Sequence, residues 1–231
     1  MNVILDIDET IVQFGHRDDI AMIPSEHREK YVLANEAEDG RAFILRPKFV
    51  EFFNELAPIA KTINLWTLSD KDYANDVKGI IESLTRAKIT NVWADTDNDE
   101  ANEHYSGNKP LPYIWNNKYG MGPKDTILID DLPQNTQNKW NLFNGFQIKA
   151  FAPLGEKVKT GKTKERIREG PYVNMSRDDV LLQVLEVLKK IRPKKDVPFK
   201  YPVRIGGRRK TRRSGKQRKK KTRTPRARRH A

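Results

Sequence analysis

Residues 3–10 read Val3-Ile4-Leu5-Asp6-Ile7-Asp8-Glu9-Thr10, a short apolar run that passes directly into acidic side chains. We interpret the run as a buried strand, because strands covered on both faces are apolar throughout rather than alternating. Asp6 ends this strand, and Asp8, two residues further on, can reach the same pocket. The stretch therefore predicts a functional site at the carboxyl end of a strand, where open parallel sheets bind their ligands.

Further strands and helices are predicted on either side of this pattern. Residues 63–66 form an apolar strand followed by Thr67, and residues 126–129 form another that ends in Asp130 and Asp131. Because strands and helices alternate, the expected fold is α/β, a doubly wound parallel sheet. Shorter strands are predicted at 91–93 and 146–150, helices at 25–34, 46–60, 73–84, 110–119 and 177–191 (the last capped by Ser176), and a solvated acidic loop at 95–100.

The net charge of +13 is unevenly distributed along the 231 residues. Residues 192–231 contain 19 Lys or Arg and one acidic residue, whereas residues 1–191 contain 25 basic and 30 acidic side chains. A segment with so few apolar residues cannot bury enough surface to fold alone. The sequence therefore predicts a mildly acidic domain at 1–191 and a disordered polybasic tail at 192–231.

Composition also excludes several classes of protein. The absence of cysteine excludes disulfides, thiolate zinc sites and a phosphatase mechanism with a cysteine nucleophile. The first residues lack a basic region followed by a long apolar one, so no secretory signal is predicted. No stretch approaches the roughly 18 apolar residues of a membrane span, so no membrane partner is expected. An intracellular protein is the default expectation.

The strand ends bring together groups that suit phosphoryl transfer. Carboxylates from separate strand ends can bind a hard divalent cation, and Mg²⁺ is the expected cofactor because it also binds water and substrate phosphate. Two neighbouring carboxylates suit covalent catalysis, in which one attacks phosphorus and the other transfers protons. Thr67 can donate a hydrogen bond to a phosphate oxygen, and Lys109 can place a positive charge there. Phosphomonoester hydrolysis is the reaction that this set favours.

The same residues resemble the four motifs of the haloacid-dehalogenase-like (HAD) phosphatases. The branch they resemble contains the RNA polymerase II C-terminal-domain phosphatases and the NLI-interacting-factor-like proteins. The resemblance covers about residues 1–150. The motifs correspond in order to Asp6–Thr10, Leu65–Thr67, Asn108–Pro110 and Ile129–Asp131, and Arg46-Pro47 and Asp72-Tyr73-Ala74 are similar to flanking features of that branch.

The resemblance implies a role for each carboxylate. Asp6 would be the nucleophile and a metal ligand. Asp8 would be the general acid and base, and it would also offer its main-chain carbonyl to Mg²⁺. Asp130 would bind the metal, and Asp131 would support the metal's waters or Lys109.

The resemblance also implies which residues hold the phosphoryl group. Thr67 and Lys109 would bind phosphate, and Thr10 would brace the loop that carries the nucleophile. Lys118 lies nearer to Asp130 in the sequence than Lys109 does. The lysine of the third motif is therefore either Lys109 or Lys118.

The polybasic tail is predicted to bind nucleic-acid phosphates or the nuclear import machinery. A solvated tail without a partner is the alternative. Residues 206–213 resemble basic tails in proteins of large nucleo-cytoplasmic DNA viruses, which implies a nuclear or virion location. The cationic residues assigned to this role are Arg208, Arg209, Lys210, Arg212, Arg213, Lys219, Lys220 and Lys221.

The short segments between the motifs leave room for only a minimal cap. An uncapped site admits a bulky substrate, so phosphoserine or phosphothreonine in a protein is the expected substrate. Two alternatives stay open. One is a polynucleotide or nucleotide phosphatase of the same fold, and the other is a nucleic-acid-binding protein with an inert phosphatase-like domain.

Overall fold

The computed structural model describes residues 1–21, 23–34, 41–117, 119–154, 157–160, 163–166, 175–191 and 203–204. Strands and helices alternate along most of this length. In chain order they are β1 (Asn2–Leu5), β2 (Val12–His16), α1 (Arg17–Ala21), α2 (Ser25–Tyr31), β3 (Val32–Ala34), β4 (Arg41–Leu45), α3 (Phe49–Leu56), β5 (Thr62–Trp66), α4 (Lys71–Leu84), β6 (Ile89–Trp93), α5 (Asp95–His104), α6 (Leu111–Asn116), β7 (Thr126–Asp130), α7 (Pro133–Thr136), β8 (Gly145–Gln147), β9 (Lys157–Thr160), β10 (Thr163–Arg166), a 3₁₀ turn (Met175–Arg177), α8 (Val180–Lys190) and β11 (Val203–Arg204).

The central sheet has the strand order β11-β8-β7-β1-β5-β6, and all of its strand pairs are parallel. Leu5 of β1 pairs with Leu65 of β5 on one side and with Ile129 of β7 on the other. The residues that follow these three strands therefore emerge at one edge of the sheet. This arrangement brings the residues assigned to the predicted site together at the carboxyl ends of the strands.

Alternate residues of the central strands are buried on opposite faces of the sheet. Val3 and Leu5 belong to a core formed with α3, α4 and α8, whereas Ile4 belongs to a second core formed with α5 and α6. Because both faces are covered by helices, the central strands are apolar throughout. The prediction of a doubly wound α/β fold is confirmed.

A small antiparallel sheet with the order β2-β4-β3 follows β1. Together with α1 and α2 it occupies residues 12–45, and it is the only sizeable insertion between β1 and α3. In this polar segment the sequence pattern predicts only a helix at 25–34, whereas the structure has α2 at Ser25–Tyr31 and three strands. Their pairing joins residues far apart in the chain, such as Val12 and Leu45, so local sequence patterns do not reveal it.

Several predicted boundaries are wrong. Residues 95–100 are not a loop but the start of α5, in which the Asp97 carboxylate accepts a hydrogen bond from the amide of Ala94 at 2.9 Å. The helix predicted at 46–60 begins at Phe49, because Lys48 has a left-handed φ of 67°. The helix predicted from 177 begins at Val180, whose amide donates to Asp178 at 3.1 Å, and residue 176 lies in the 3₁₀ turn before it. The helix predicted at 110–119 ends at Asn116.

Two residues from the segment predicted as a tail take part in the central sheet. Val203 and Arg204 pair in parallel with Phe146 and Gln147 of β8. The rest of the predicted tail, including all eight cationic residues assigned to it, lies outside the described residues. In the part of the chain that the structure describes, every helix is too short or too polar to cross a membrane.

Candidate active site

Asp6 lies directly after β1 and is held there by the neighbouring strand. Its amide donates a hydrogen bond to the carbonyl of Ile129 at 2.9 Å. The hydroxyl of Thr10 lies 3.3 Å from Oδ2 of Asp6 and 3.3 Å from Oδ1 of Asp131. Thr10 thus links the first predicted motif to the fourth.

Lys109 lies between two of the predicted carboxylates. Its ammonium group is 2.5 Å from Oδ1 of Asp6 and 2.8 Å from Oδ2 of Asp130, and all three side chains are buried. Burial lowers the pKa of Lys109, but the charges of Asp130 and Asp6 outweigh it, so the pKa is raised and the group is charged. Lys118 lies outside the described residues.

Asn141 supports the backbone that carries Lys109. Lys109 has a φ of 47°, a left-handed conformation that a non-glycine residue rarely adopts. The side-chain amide of Asn141 donates to the carbonyl of Lys109 at 2.7 Å, and its oxygen accepts from the amide of Leu111 at 2.9 Å. These two hydrogen bonds stabilise the turn. Asn141 is not among the residues predicted from the sequence, because it lies in a loop 32 residues away from Lys109.

Asp6, Asp130 and Asp131 form a buried carboxylate cluster. Each offers one oxygen, and these oxygens lie within 4.8 Å of one another. Burial, followed by repulsion from Asp130, raises the pKa of Asp6 well above its usual range. Burial and the charges of Asp130 and Glu9 raise the pKa of Asp131 to about 7. Three carboxylates beside one ammonium leave an excess of negative charge, and an all-oxygen donor set of this kind fits Mg²⁺.

Asp130 and Asp131 differ in their hydrogen bonds. Asp130 accepts from Lys109, from the side chain of Asn135 at 2.9 Å and from the amide of Leu132 at 2.8 Å. Asp131 accepts from the hydroxyl of Thr10. The carboxylate of Asp130 already accepts three hydrogen bonds, one of them from the ammonium group of Lys109. The carboxylate of Asp131 therefore has more lone pairs left for a cation than that of Asp130. The prediction from the sequence, with Asp130 as the metal ligand and Asp131 as support for the metal's waters or for Lys109, stays a prediction.

Asp8 is oriented by residues of the second motif and of α4. The hydroxyl of Tyr73 donates to Oδ1 of Asp8 at 2.7 Å, and the hydroxyl of Ser69 lies 3.1 Å from Oδ2. Thr67 lies 3.4 Å from the same Oδ2 and accepts from the amide of Ser69 at 3.0 Å. Thr67, predicted to bind phosphate, therefore lies beside Asp8. The sequence does not predict these contacts of Ser69 and Tyr73 with Asp8, although Tyr73 belongs to the flanking feature Asp72-Tyr73-Ala74.

Asn98 connects the acidic helix α5 to the second motif. Its side-chain amide donates to the carbonyl of Thr67 at 2.8 Å and to that of Ala94 at 2.7 Å. Asn98 is buried, as is Ala101 one turn later. The acidic segment 95–100 thus packs against the site instead of extending into solvent as the predicted loop would.

Arg46 stabilises the loop that follows Asp8 through hydrogen bonds of its guanidinium group. The guanidinium donates to the carbonyl of Thr10 at 2.9 Å, to that of Lys149 at 2.9 Å and to both carboxylate oxygens of Asp178 at 3.1 Å. The side chain is completely buried. Arg46 therefore joins the first motif, the segment after β8 and the start of α8.

Comparison with known proteins adds a family and a fold. A family model described as NLI interacting factor-like phosphatase matches residues 1–198. The structure of Fcp1, an essential RNA polymerase II CTD phosphatase, is similar, with a TM-score of 0.56 and 16% identity over 82% of this chain and 61% of that chain. A variant of the fission yeast RNA polymerase II CTD phosphatase Fcp1, bound to beryllium fluoride, has a TM-score of 0.50 and 17% identity over 82% of this chain and 53% of that chain.

The similarity to the two solved structures concerns the fold and only part of each of those chains. At such identities the two solved structures show a common fold, and this chain spans less than two thirds of the length of either one. Among curated proteins, no sequence match was found. The family assignment depends on the match over residues 1–198. The description of the candidate active site depends only on the contacts within this chain.

Proposed function

Because the chain belongs to the family of NLI interacting factor-like phosphatases, we propose that it hydrolyses phosphomonoesters through an aspartyl-phosphate on Asp6. The observation that carries the proposal is the position of Lys109, whose ammonium contacts both Asp6 and Asp130. A buried ammonium group can bind the anionic phosphoryl group, and the carboxylate beside it at the end of the strand is then positioned to attack phosphorus.

The side chains divide the reaction into two steps. In the first, a carboxylate oxygen of Asp6 attacks phosphorus, the bond to the ester oxygen breaks, and Asp8 gives its proton to that leaving oxygen. In the second, Asp8 takes a proton from a water molecule, whose oxygen attacks the same phosphorus. Inorganic phosphate leaves and the carboxylate of Asp6 is restored. Lys109 and Thr67 hold the phosphoryl oxygens in both steps.

The proposed metal ligands are Asp6, Asp130 and Asp131, together with the main-chain carbonyl of Asp8. The hydrogen bonds described above favour Asp131 over Asp130 as the direct ligand. When bound, Mg²⁺ supplies positive charge that offsets the carboxylates and the phosphoryl oxygens. The raised pKa values of Asp6 and Asp131 support this assignment, because carboxylates that repel one another bind a divalent cation readily.

A protein phosphoserine or phosphothreonine is the substrate that we propose. A groove of about 380 Å³ lies between the small sheet and α4, and its lining includes Leu33, Phe43 and Ile80. The ring of Phe43 stacks on that of Tyr73 at 5.8 Å, and Tyr73 donates to Asp8. The groove is also lined by polar residues, including Asp76, whose negative charge disfavours the anionic backbone of a polynucleotide. A lining of mixed apolar and polar side chains suits the side chains of a peptide.

The test is Mg²⁺-dependent hydrolysis of p-nitrophenyl phosphate by the wild type, Asp6→Asn and Asp8→Asn. We expect both variants to lose at least about 100-fold in kcat, because each removes a group that reacts. Asp99→Asn, at an exposed position of α5, is the matched control and should retain activity. Chelation of divalent ions abolishes wild-type activity. Full activity of folded Asp6→Asn would contradict the proposal.

A further inference from the structure

The groove between the small sheet and α4 begins beside the active site. Phe43, which lines the groove, stacks on Tyr73, and the hydroxyl of Tyr73 donates to Asp8. From there the lining follows α4 through Asp76 as far as Ser83, close to the end of the helix. At a rise of 1.5 Å per residue, the helical wall from Tyr73 to Ser83 is about 15 Å long. An extended peptide covers that length with about four or five residues.

The helical wall of the groove carries negative charge that the fold leaves without a partner. Asp76 lines the groove, and Asp72 lies one turn nearer to the active site on the same side of α4; both are exposed. Among the described residues, neither carboxylate has a hydrogen bond or an ion pair. Like charges four residues apart destabilise a helix, and the described lining contains no cation to offset them. A cationic side chain bound in the groove would relieve this repulsion.

Gly79 leaves the middle of the same wall without a side chain. It lies one turn beyond Asp76, inside α4. A Cβ placed on Gly79 would meet no atom within 4 Å, and its φ lies outside the left-handed region, so the backbone does not require glycine there. Glycine inside a helix is less favourable than alanine. The glycine therefore keeps the groove open where the backbone of a ligand can approach the helix closely.

We propose that this groove binds the substrate peptide on one side of its phosphoserine or phosphothreonine, and that Asp76 binds a lysine or arginine of that peptide. The inference rests on the proposed function and adds a substrate preference to it. Asp76 lies about 4.5 Å further along the helix than Tyr73, whose side chain reaches the general acid Asp8. At about 3.3 Å per residue, the cation then lies about two to four residues from the phosphorylated one. A polynucleotide offers no such cation, and Asp76 repels its phosphates.

The experiment measures KM of the full-length protein for three phosphoserine peptides. One has alanine flanks, and the other two carry a single arginine three residues before or three residues after the phosphoserine. We expect one of the arginine peptides to have the lowest KM. Asp76→Asn should raise that KM about twofold to fivefold, the effect of losing an exposed ion pair, without changing the KM of the alanine peptide. Asp76→Arg should reverse the preference, so that glutamate in place of the arginine gives the lower KM, which a merely structural role of Asp76 does not predict.

Gly79→Leu tests the groove without a change of charge. Its side chain fills the open space beside the helix and should raise KM for all three peptides more than KM for p-nitrophenyl phosphate, which is too small to reach the groove. Replacing the glycine favours the helix, so this variant should fold. The matched control for Asp76→Asn is Asp99→Asn, the same change at an exposed position of α5, which packs on the other face of the sheet.

Three results would overturn the proposal. The first is an equal KM of the wild type for the arginine and alanine peptides. The second is a rise in KM for the preferred arginine peptide that is as large in Asp99→Asn as in Asp76→Asn. The third is a preference for arginine that appears only after removal of residues 206–231, because the chain's own basic segment would then be the occupant of the groove.

The outcome is separable from failure of the proposed function. If neither the peptides nor p-nitrophenyl phosphate are hydrolysed, the phosphatase assignment fails. Fluorescence anisotropy of the labelled arginine and alanine peptides then still tests the groove. Weaker binding of the arginine peptide by Asp76→Asn supports docking, and equal binding by wild type and variant refutes it.

Discussion

Lys109 places one buried ammonium group among three buried carboxylates, those of Asp6, Asp130 and Asp131. A buried charge without a partner lowers the stability of the folded protein by several kcal/mol. Removing one charged residue of this cluster therefore leaves its partners buried without compensation. The ammonium compensates only part of the negative charge. The remainder raises the pKa of Asp6 and of Asp131, and it makes the stability of the metal-free protein depend on pH.

In the presence of a chelator, we expect the protein to become less stable as the pH rises from about 4 to about 7. The pKa of Asp131 is raised by burial and by Asp130 to about 7 from an ordinary 3.8, so the folded state holds a proton that the unfolded state releases. The loss is about 1–3 kcal/mol. Thermal unfolding at pH 5 and pH 8 measures it, and Asp131→Asn should reduce the difference.

Mg²⁺ should reverse this trend, because it binds the deprotonated carboxylates. The rise in Tm on adding Mg²⁺ is therefore expected to be larger at pH 8 than at pH 5. An equal rise at both values, or a metal-free Tm that increases between them, would contradict the assignment of the cluster as a metal site.

Tyr73 is expected to position the proton donor of the reaction. Tyr73→Phe removes the hydroxyl that donates to Oδ1 of Asp8 and leaves the ring in place. A serine alkoxide needs a proton to leave, whereas p-nitrophenolate does not. We therefore expect kcat to fall about tenfold for a phosphoserine peptide and less than about threefold for p-nitrophenyl phosphate.

Tyr113→Phe is the control, because the hydroxyl of Tyr113 donates to Glu100 and not to a carboxylate of the site. It should leave both rates unchanged. Equal losses for the two substrates in Tyr73→Phe would show that Tyr73 only stabilises the fold around Asp8.

At the level of elements, the strands and the site carboxylates could be predicted because each central strand is a short apolar run that ends in polar residues. The helix α5 could not, since its buried residues are few and Asn98 and Asp97 hold it in place. The buried partners of the site were missed for a related reason. Asn135 lies in the four-residue helix α7 and Asn141 lies in a turn, and neither segment is long enough for a periodicity to mark its buried side chains.

Arg46 connects three elements, and its removal should destabilise the whole domain. Arg46→Ala leaves Asp178 without its partner and removes the donors to the carbonyls of Thr10 and Lys149. Breaking a buried ion pair on one side costs about 3–5 kcal/mol. Urea unfolding should show a lower midpoint with an unchanged m-value. Arg46→Lys should also destabilise, because an ammonium cannot make the paired contacts of a guanidinium.

Lys48→Ala provides the comparison, since Lys48 pairs with Glu51 at an exposed position. We expect a loss of less than about 1 kcal/mol from the ion pair there. A loss of that size in Arg46→Ala would mean that the three elements are held together without the arginine.

For the whole molecule, the uneven distribution of charge supports the prediction that the two parts of the chain have separate tasks. Residues 1–191 have a net charge of −5, and the segment from 206 to the end contains 14 basic residues and no acidic one. Among the described residues, those of the candidate active site lie no further along the chain than Asp178, whereas the predicted nucleic-acid contacts lie beyond 205. Because β11 pairs with β8, truncation after residue 191 would also remove an edge strand of the central sheet. Truncation after residue 205 removes the basic segment and keeps this strand.

Removal of residues 206–231 should leave the hydrolysis of p-nitrophenyl phosphate within about twofold of wild type and should abolish salt-sensitive binding to DNA or RNA. Counterion release makes the affinity of a polybasic segment fall steeply with salt, so the salt slope of binding measures how many cations act. A full-length variant with Arg208, Arg209, Lys210, Arg212 and Arg213 changed to Gln should lower the slope without abolishing binding. If the shortened protein keeps the affinity and slope of the full chain, the nucleic-acid contacts lie in the folded domain, and the tail is left as a targeting segment or a solvated one.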